Sequence, residues 1–213
     1  EFRRVLFRSC MARQPQRGAA SRRFGIPYIS AELSEIIAQI EKDTADPQLA
    51  QSLQFSPTAL THIKRLVAAG GTILVDTQLI TADIDYSTLE GTNTRVRCFI
   101  DDPEVLQLAE IRHTTRAEIA VDIGLAIPGP KLLVVGSAPA ALNRVLIRRL
   151  HEPLSEVCVL AAPSGFANVV QLKEKLRDSD MAYIVARGKK GGTVVTAAIL
   201  NAILRAIRPK ETV

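Results

Sequence analysis

Apolar residues fall along the chain in short continuous runs, separated by stretches in which they recur every three or four positions. The runs at 72–75 (TILV), 97–100 (RCFI), 131–135 (KLLVV), 156–161 (EVCVLA) and 183–186 (YIVA) have strand length. The stretches between them carry helical period and helix-start signals. Leu33, Ile36, Ile37 and Ile40 make one apolar face, and residues 42–47 break it with Asp, Thr and Pro. Ser56-Pro57 opens a helix with Ser as N-cap and Pro at the first position, and Gly70-Gly71 stops it. Asp102-Pro103 opens another, and Thr115-Arg116-Ala117-Glu118 is a capping box. Further helices are predicted over 140–150, over 167–177 and from Thr193. Strands that are apolar on both faces and alternate with helices predict a parallel sheet covered on both sides. The fold class expected is α/β: a single three-layer domain with a mainly parallel central sheet flanked by helices.

This pattern occupies residues 24–208. Residues 1–23 are Arg-rich, acid-poor and patternless, which predicts a disordered leader, and 1–9 (EFRRVLFRS) resemble the translated read-through of a sequencing adapter. Residues 209–213 read as a tail. The leader changes the meaning of the net charge of +5, because it holds seven Arg and one acid and leaves 20 basic and 21 acidic residues for the rest. A nearly neutral body gives no argument for nucleic acid as a partner. Scarce aromatics and the lack of Trp exclude a stacking platform for single strands. Cys10, Cys98 and Cys158 form no CxxC or Cys/His cluster. They read as reduced thiols of a cytoplasmic protein, with no metal site. No apolar run approaches the ~20 residues of a membrane span.

Ligands of open parallel sheets bind at the carboxyl ends of the strands. The turns expected there are Asp76-Thr77, Gly136-Ser137-Ala138-Pro139, Pro163-Ser164-Gly165-Phe166, and Arg187-Gly188-Lys189-Lys190-Gly191-Gly192 leading into Thr193. Thr115-Arg116 opens a helix that can face the same edge. The last turn carries the most specific signal. Its glycines let backbone approach a ligand, its three cations attract acid, and the helix start behind it presents free N–H groups. It is not a Walker A loop, because the spacing GxxxxGK[ST] is absent, and there is no GxGxxG. Each of the other turns also has a plain structural reading as a loop-to-helix start.

Taken in order, these pieces resemble the precorrin-8X methylmutase family. The matching residues are Phe55-Ser56-Pro57, Ile73-Leu74-Val75-Asp76-Thr77, Asp101-Asp102-Pro103, Thr114-Thr115-Arg116, Gly136-Ser137-Ala138-Pro139-Ala140-Ala141-Leu142, Pro163-Ser164-Gly165-Phe166, Lys173-Glu174 and the turn from Arg187 to Gly192. The resemblance implies an isomerase of cobalamin biosynthesis. Such an enzyme moves a methyl group from C11 to C12 of precorrin-8X, or of cobalt-precorrin-8, giving hydrogenobyrinate or cobyrinate. It implies no separate cofactor, a homodimer with sites near the subunit interface, and a corrinoid bearing many carboxylates. Asp76, Thr77, Thr115, Arg116, Gly136, Ser137, Phe166, Arg187, Lys189, Lys190, Gly191, Gly192 and Thr193 are the substrate-binding residues it suggests.

In that family a His in an Arg-x-x-His pattern shortly before Phe-Ser-Pro protonates the macrocycle. Counting back from Phe55 puts Lys42 at the position of the His and Gln39 at that of the Arg. Lysine ordinarily holds its proton too tightly to be a good acid at neutral pH. Three readings follow: Lys42 acts as the acid, the chain binds corrinoids without fast turnover, or another residue takes over. His113, directly before Thr114-Thr115-Arg116, is the candidate for the last. A more distant alternative is a phosphate- or nucleotide-binding α/β enzyme using the basic glycine turn.

Overall fold

The computed structural model describes residues 30–208. The expected leader, the adapter-like segment, Cys10 and the tail therefore lie outside the described residues. Helix α1 (Ala31–Thr44) starts at Ser30, whose hydroxyl accepts from the Leu33 N–H at 3.2 Å, and buries Ile36, Ile37 and Ile40. Asp46 caps the short α2 (Pro47–Ser52), which runs into β1 (Leu53–Phe55). There follow α3 (Ala59–Ala68), β2 (Thr72–Val75), α4 (Gln78–Ala82), a 3-10 turn (Tyr86–Leu89) and β3 (Arg95–Arg97). Next come α5 (Pro103–Ile111), α6 (Arg116–Ala126), β4 (Lys131–Val135), α7 (Pro139–His151) and β5 (Val157–Ala161). The described chain ends with α8 (Ala167–Arg177), β6 (Ala182–Ala186) and α9 (Thr193–Ile207).

The six strands form one sheet in the order β1-β6-β5-β4-β2-β3, parallel except for β1. Side chains alternate across it. Ile73, Val75, Leu132, Val134, Cys158, Leu160 and Ile184 join the core formed with α1, α3, α4 and α9. Leu74, Leu133, Val135, Val159 and Val185 join the core under α6, α7 and α8. The continuous apolar runs follow from this arrangement, because both faces of the central strands are covered. The expected three-layer architecture is the one observed.

Three elements differ from the sequence pattern. β1 is an antiparallel edge strand of three residues, pairing Leu53 with Ala186 and Phe55 with Ile184. It is too short to show a period. Ser56 does not cap α3. Its N–H donates to the Tyr183 carbonyl and its hydroxyl accepts from the Tyr183 N–H, both at 2.9 Å, so it prolongs the β1–β6 ladder. The helix begins later, after Thr58, with no side-chain cap. The strand expected over 97–100 lies at Arg95–Arg97 instead, paired with Thr72 to Leu74. Phe99 and Ile100 are apolar because they pack under α6 and α7 from a turn, where Asp102 N–H donates to the Phe99 carbonyl at 3.1 Å.

Candidate functional site

Strands β2, β4, β5 and β6 run the same way, so their carboxyl ends bring the four expected turns to one edge. Asp76 is the hub of the first two. Its carboxylate is buried and accepts from the backbone N–H groups of Gly136, Ser137 and Ala138 at 3.2, 2.8 and 2.6 Å. Burial pushes its pKa up, and the three amide bonds oppose that shift. Asp76 therefore acts on this edge through the turn it organises, not as a free carboxylate. Gly136 has no room for a side chain, since a Cβ there would lie 2.8 Å from both Ile80 Cδ1 and Thr196 Oγ1. Thr77 caps α4 by accepting from the Leu79 N–H.

The basic turn folds over the end of β5. The Gly192 N–H donates to the Ala162 carbonyl at 2.8 Å, and the Thr196 hydroxyl donates to the Gly192 carbonyl at 2.8 Å. Gly191 sits at φ 150°, and a Cβ on it would lie 2.0 Å from the Ala162 carbonyl oxygen. Only glycine fits. The Gly165 N–H donates to the Lys189 carbonyl at 3.2 Å, which joins this turn to the Pro163–Phe166 loop. The Lys189 ammonium lies 5.9 Å from the centre of the Phe166 ring, a cation–π contact. Thr193 is half-buried in the first turn of α9.

The other three cations are each held by an acid of the chain. Arg187 donates to Glu174 at 2.9 Å, Lys190 to both oxygens of Asp46 at 2.6 and 2.8 Å, and Arg116 to Asp101 at 3.4 Å. The Lys190 bond is the main reason the Asp46 carboxyl titrates below its ordinary value. All three pairs are partly exposed, so they cost little to exchange for carboxylates of a ligand. The Arg116–Asp101 pair ties the start of α6 to the loop after β3, which places Arg116 at the same edge. Thr115 forms the expected capping box with Glu118, whose carboxyl is held low by hydrogen bonds from Thr114 and Thr115.

The two expected proton donors are placed differently. Lys42 lies in the last turn of α1, exposed, with no ion pair among the described residues, four positions before the Asp46 that receives Lys190. His113 is exposed at φ 50°. Its N–H donates to the Glu110 carbonyl at 3.2 Å and that of Thr114 to Ala109 at 3.0 Å. This is the Schellman pattern that ends a helix, with His113 in the position usually given to glycine. Its placement is accounted for by the end of α5.

Sequence reasoning passed over two features. Lys173 is fully buried in α8 and donates to the carbonyls of Gly188 and Lys190, both at 3.0 Å. Burial brings its pKa down to about 8. Its signal was the Lys173-Glu174 pair, both members of which hold the basic turn. The second feature is an apolar fringe. Leu79 and Val194, at the starts of α4 and α9, join the expected Phe166 at the start of α8, and all three are more than three-fifths exposed. A run-based reading does not flag Leu79 and Val194, which are single apolar residues at helix starts. Cationic and amide donors beside exposed apolar side chains suit a large ligand with an apolar body and an acidic rim. A separate groove of about 590 Å³ between α7 and α8, lined by Leu146, Leu150, Lys175 and Asp178 among others, lies away from this edge. Among the described residues no group of three His, Cys, Asp or Glu could hold a metal, and no helix is long and apolar enough to cross a membrane.

A family model described as precorrin-8X methylmutase matches residues 18–206. The cobalt-precorrin-8 methylmutase of Salmonella typhimurium is 34% identical over 87% of this chain and 85% of its own length. The protein of the same name from Methanothermobacter thermautotrophicus is 32% identical over 83% and 82%. Among solved structures, the precorrin-8X methyl mutase of Thermus thermophilus superposes with a TM-score of 0.74 at 28% identity, covering 89% of this chain and 91% of that one.

Proposed function

This chain belongs to the precorrin-8X methylmutase family, and on that premise we propose that it is an isomerase of cobalamin biosynthesis moving a methyl group from C11 to C12 of a corrinoid. The relatives at 32% and 34% identity are named for cobalt-precorrin-8, which favours the cobalt-bearing substrate over precorrin-8X. The family match does not favour the alternatives of a non-catalytic corrinoid binder or a nucleotide enzyme. The observation that carries the reading is the gathering of Arg116, Arg187, Lys189 and Lys190 with the exposed Leu79, Phe166 and Val194 on one sheet edge. Substrate carboxylates exchange for Asp46, Glu174 and Asp101 on the cations, and the ring body covers the apolar fringe. The rearrangement is intramolecular, so the protein's task is to hold the macrocycle and manage one proton.

Lys42 stands where the family resemblance puts the proton donor, and we carry it as the acid of this chain. Its exposed setting on α1 makes it a slow one. We further propose a homodimer that closes the open carboxyl edge, and a cytoplasmic setting in keeping with the unpaired Cys98 and Cys158. Incubation with cobalt-precorrin-8 and with precorrin-8X, followed by chromatography of the pigment, tests the activity. Conversion to cobyrinate or hydrogenobyrinate is expected. Retention of unconverted pigment would favour a binding protein, and retention of ATP with no pigment would favour the nucleotide reading.

A further inference from the structure

The Lys173 ammonium lies entirely inside the protein, yet it meets no carboxylate. Its two hydrogen bonds go to the backbone carbonyls of Gly188 and Lys190, at 3.0 Å each. A trans peptide unit points its C=O and its N–H in opposite directions, and no cis peptide occurs among the described residues. The peptide that gives its carbonyl from Gly188 carries the N–H of Lys189. The one that gives its carbonyl from Lys190 carries the N–H of Gly191. Pulling both carbonyls inward therefore turns both N–H groups outward. Neither N–H donates a hydrogen bond among the described residues. The positive φ values of Gly188 (76°) and Gly191 (150°) permit this alternation of peptide directions. Outward backbone N–H groups of such a turn, here the two flanking Lys190, offer donors to an anion. A buried cation behind them polarises both peptides in the sense that strengthens their N–H groups as donors.

We propose that Lys173 is the positioning residue of the site: it orients the backbone N–H groups of Lys189 and Gly191 as a two-amide cradle for one carboxylate of the corrinoid. Lys173 itself stays out of reach of the ligand and acts through the turn. Before the ligand exchanges for it, Glu174, the next residue of α8, holds Arg187 at the other end of the same turn at 2.9 Å. The side chains of Lys189 and Lys190 then supply charge, while the two amides supply direction.

The inference rests on the corrinoid reading above, and one titration separates the two. Uniformly ¹⁵N-labelled wild-type protein is titrated with hydrogenobyrinate and its amide resonances are followed. The Lys189 and Gly191 N–H signals are expected to move downfield with saturation. In Lys173→Met the same two signals stay still, and affinity falls about 10- to 100-fold, the range of a charge-assisted contact. Steady-state kinetics of that variant should show a raised KM with kcat within about threefold, because the cradle holds ground state and transition state alike. A merely structural lysine would lower the melting temperature without silencing those two amides. Binding to the wild type that leaves both amides unmoved overturns the cradle and spares the corrinoid reading. No binding to the wild type overturns the corrinoid reading and the cradle with it. If Lys173→Met does not fold, the wild-type titration still decides.

Discussion

Asp76 shows how a single side chain can be read correctly as to place and incompletely as to role. Its position after β2 put it on the carboxyl edge of the sheet, but nothing in the sequence says that three amides some sixty residues away converge on it. Asp76→Ala strands those donors inside the protein and should cost about 3 kcal/mol, a fall in melting temperature of roughly 6–12 °C for a chain of this size. His113 holds a left-handed conformation that a Cβ disfavours. His113→Gly should be neutral or stabilising by up to ~1 kcal/mol, with isomerisation unchanged. Loss of turnover in that variant would restore His113 as an acid. Lys42→His places a group that titrates near neutral pH at the proposed donor position. It should raise kcat by about 10²-fold, the lower end of general acid catalysis. Lys42→Ala with unaltered turnover would remove Lys42 from the chemistry.

At the scale of elements, the long apolar runs were legible because both faces of β2, β4, β5 and β6 are covered, so every residue of each run reports burial. β1 and β3 were not, for the opposite reason. Both have three residues, and the flanking residues are misleading: Ser56 looks like a cap but serves the ladder, and Phe99 and Ile100 are buried from a turn. The basic glycine turn was legible from its composition as a cationic turn at the start of a helix. Its anchor, Lys173, was not, because a lysine on a helix reads as solvated until packing buries it.

The turn and its anchor give three further expectations. Gly191→Ala drives a Cβ onto the Ala162 carbonyl and should weaken corrinoid binding at least about tenfold, a loss of over ~1.4 kcal/mol. Gly188→Ala, where a Cβ meets nothing within 4 Å, should cost only about 1 kcal/mol of stability. Lys173 sets a pH dependence of known sign. Its pKa is about 8 in the folded chain and ~10.4 in the unfolded one, so the unfolded chain binds more protons in between. Stability from this group is therefore lowest below pH about 8 and recovers as pH rises towards ~10.4. Denaturant unfolding at pH 7.5 and 10 should show wild type gaining on Lys173→Met by on the order of 1–3 kcal/mol. A flat difference would mean that Lys173 is not buried as a cation.

For the molecule as a whole, net charge was a poor guide and its distribution a good one. The body is nearly neutral, yet four of its cations, Arg116, Arg187, Lys189 and Lys190, stand at one sheet edge, three of them paired there with Asp101, Glu174 and Asp46. That arrangement keeps the apoprotein balanced and leaves the cations available to a stronger polyacid. On the proposed function, this edge holds a corrinoid and its methyl group migrates there. The most direct measurement is a single-turnover reaction with protein in excess over cobalt-precorrin-8, followed by visible absorption and product chromatography. Complete conversion to cobyrinate is expected, slow in the wild type and faster in Lys42→His. Stoichiometric binding with the substrate recovered unchanged from both proteins would contradict it.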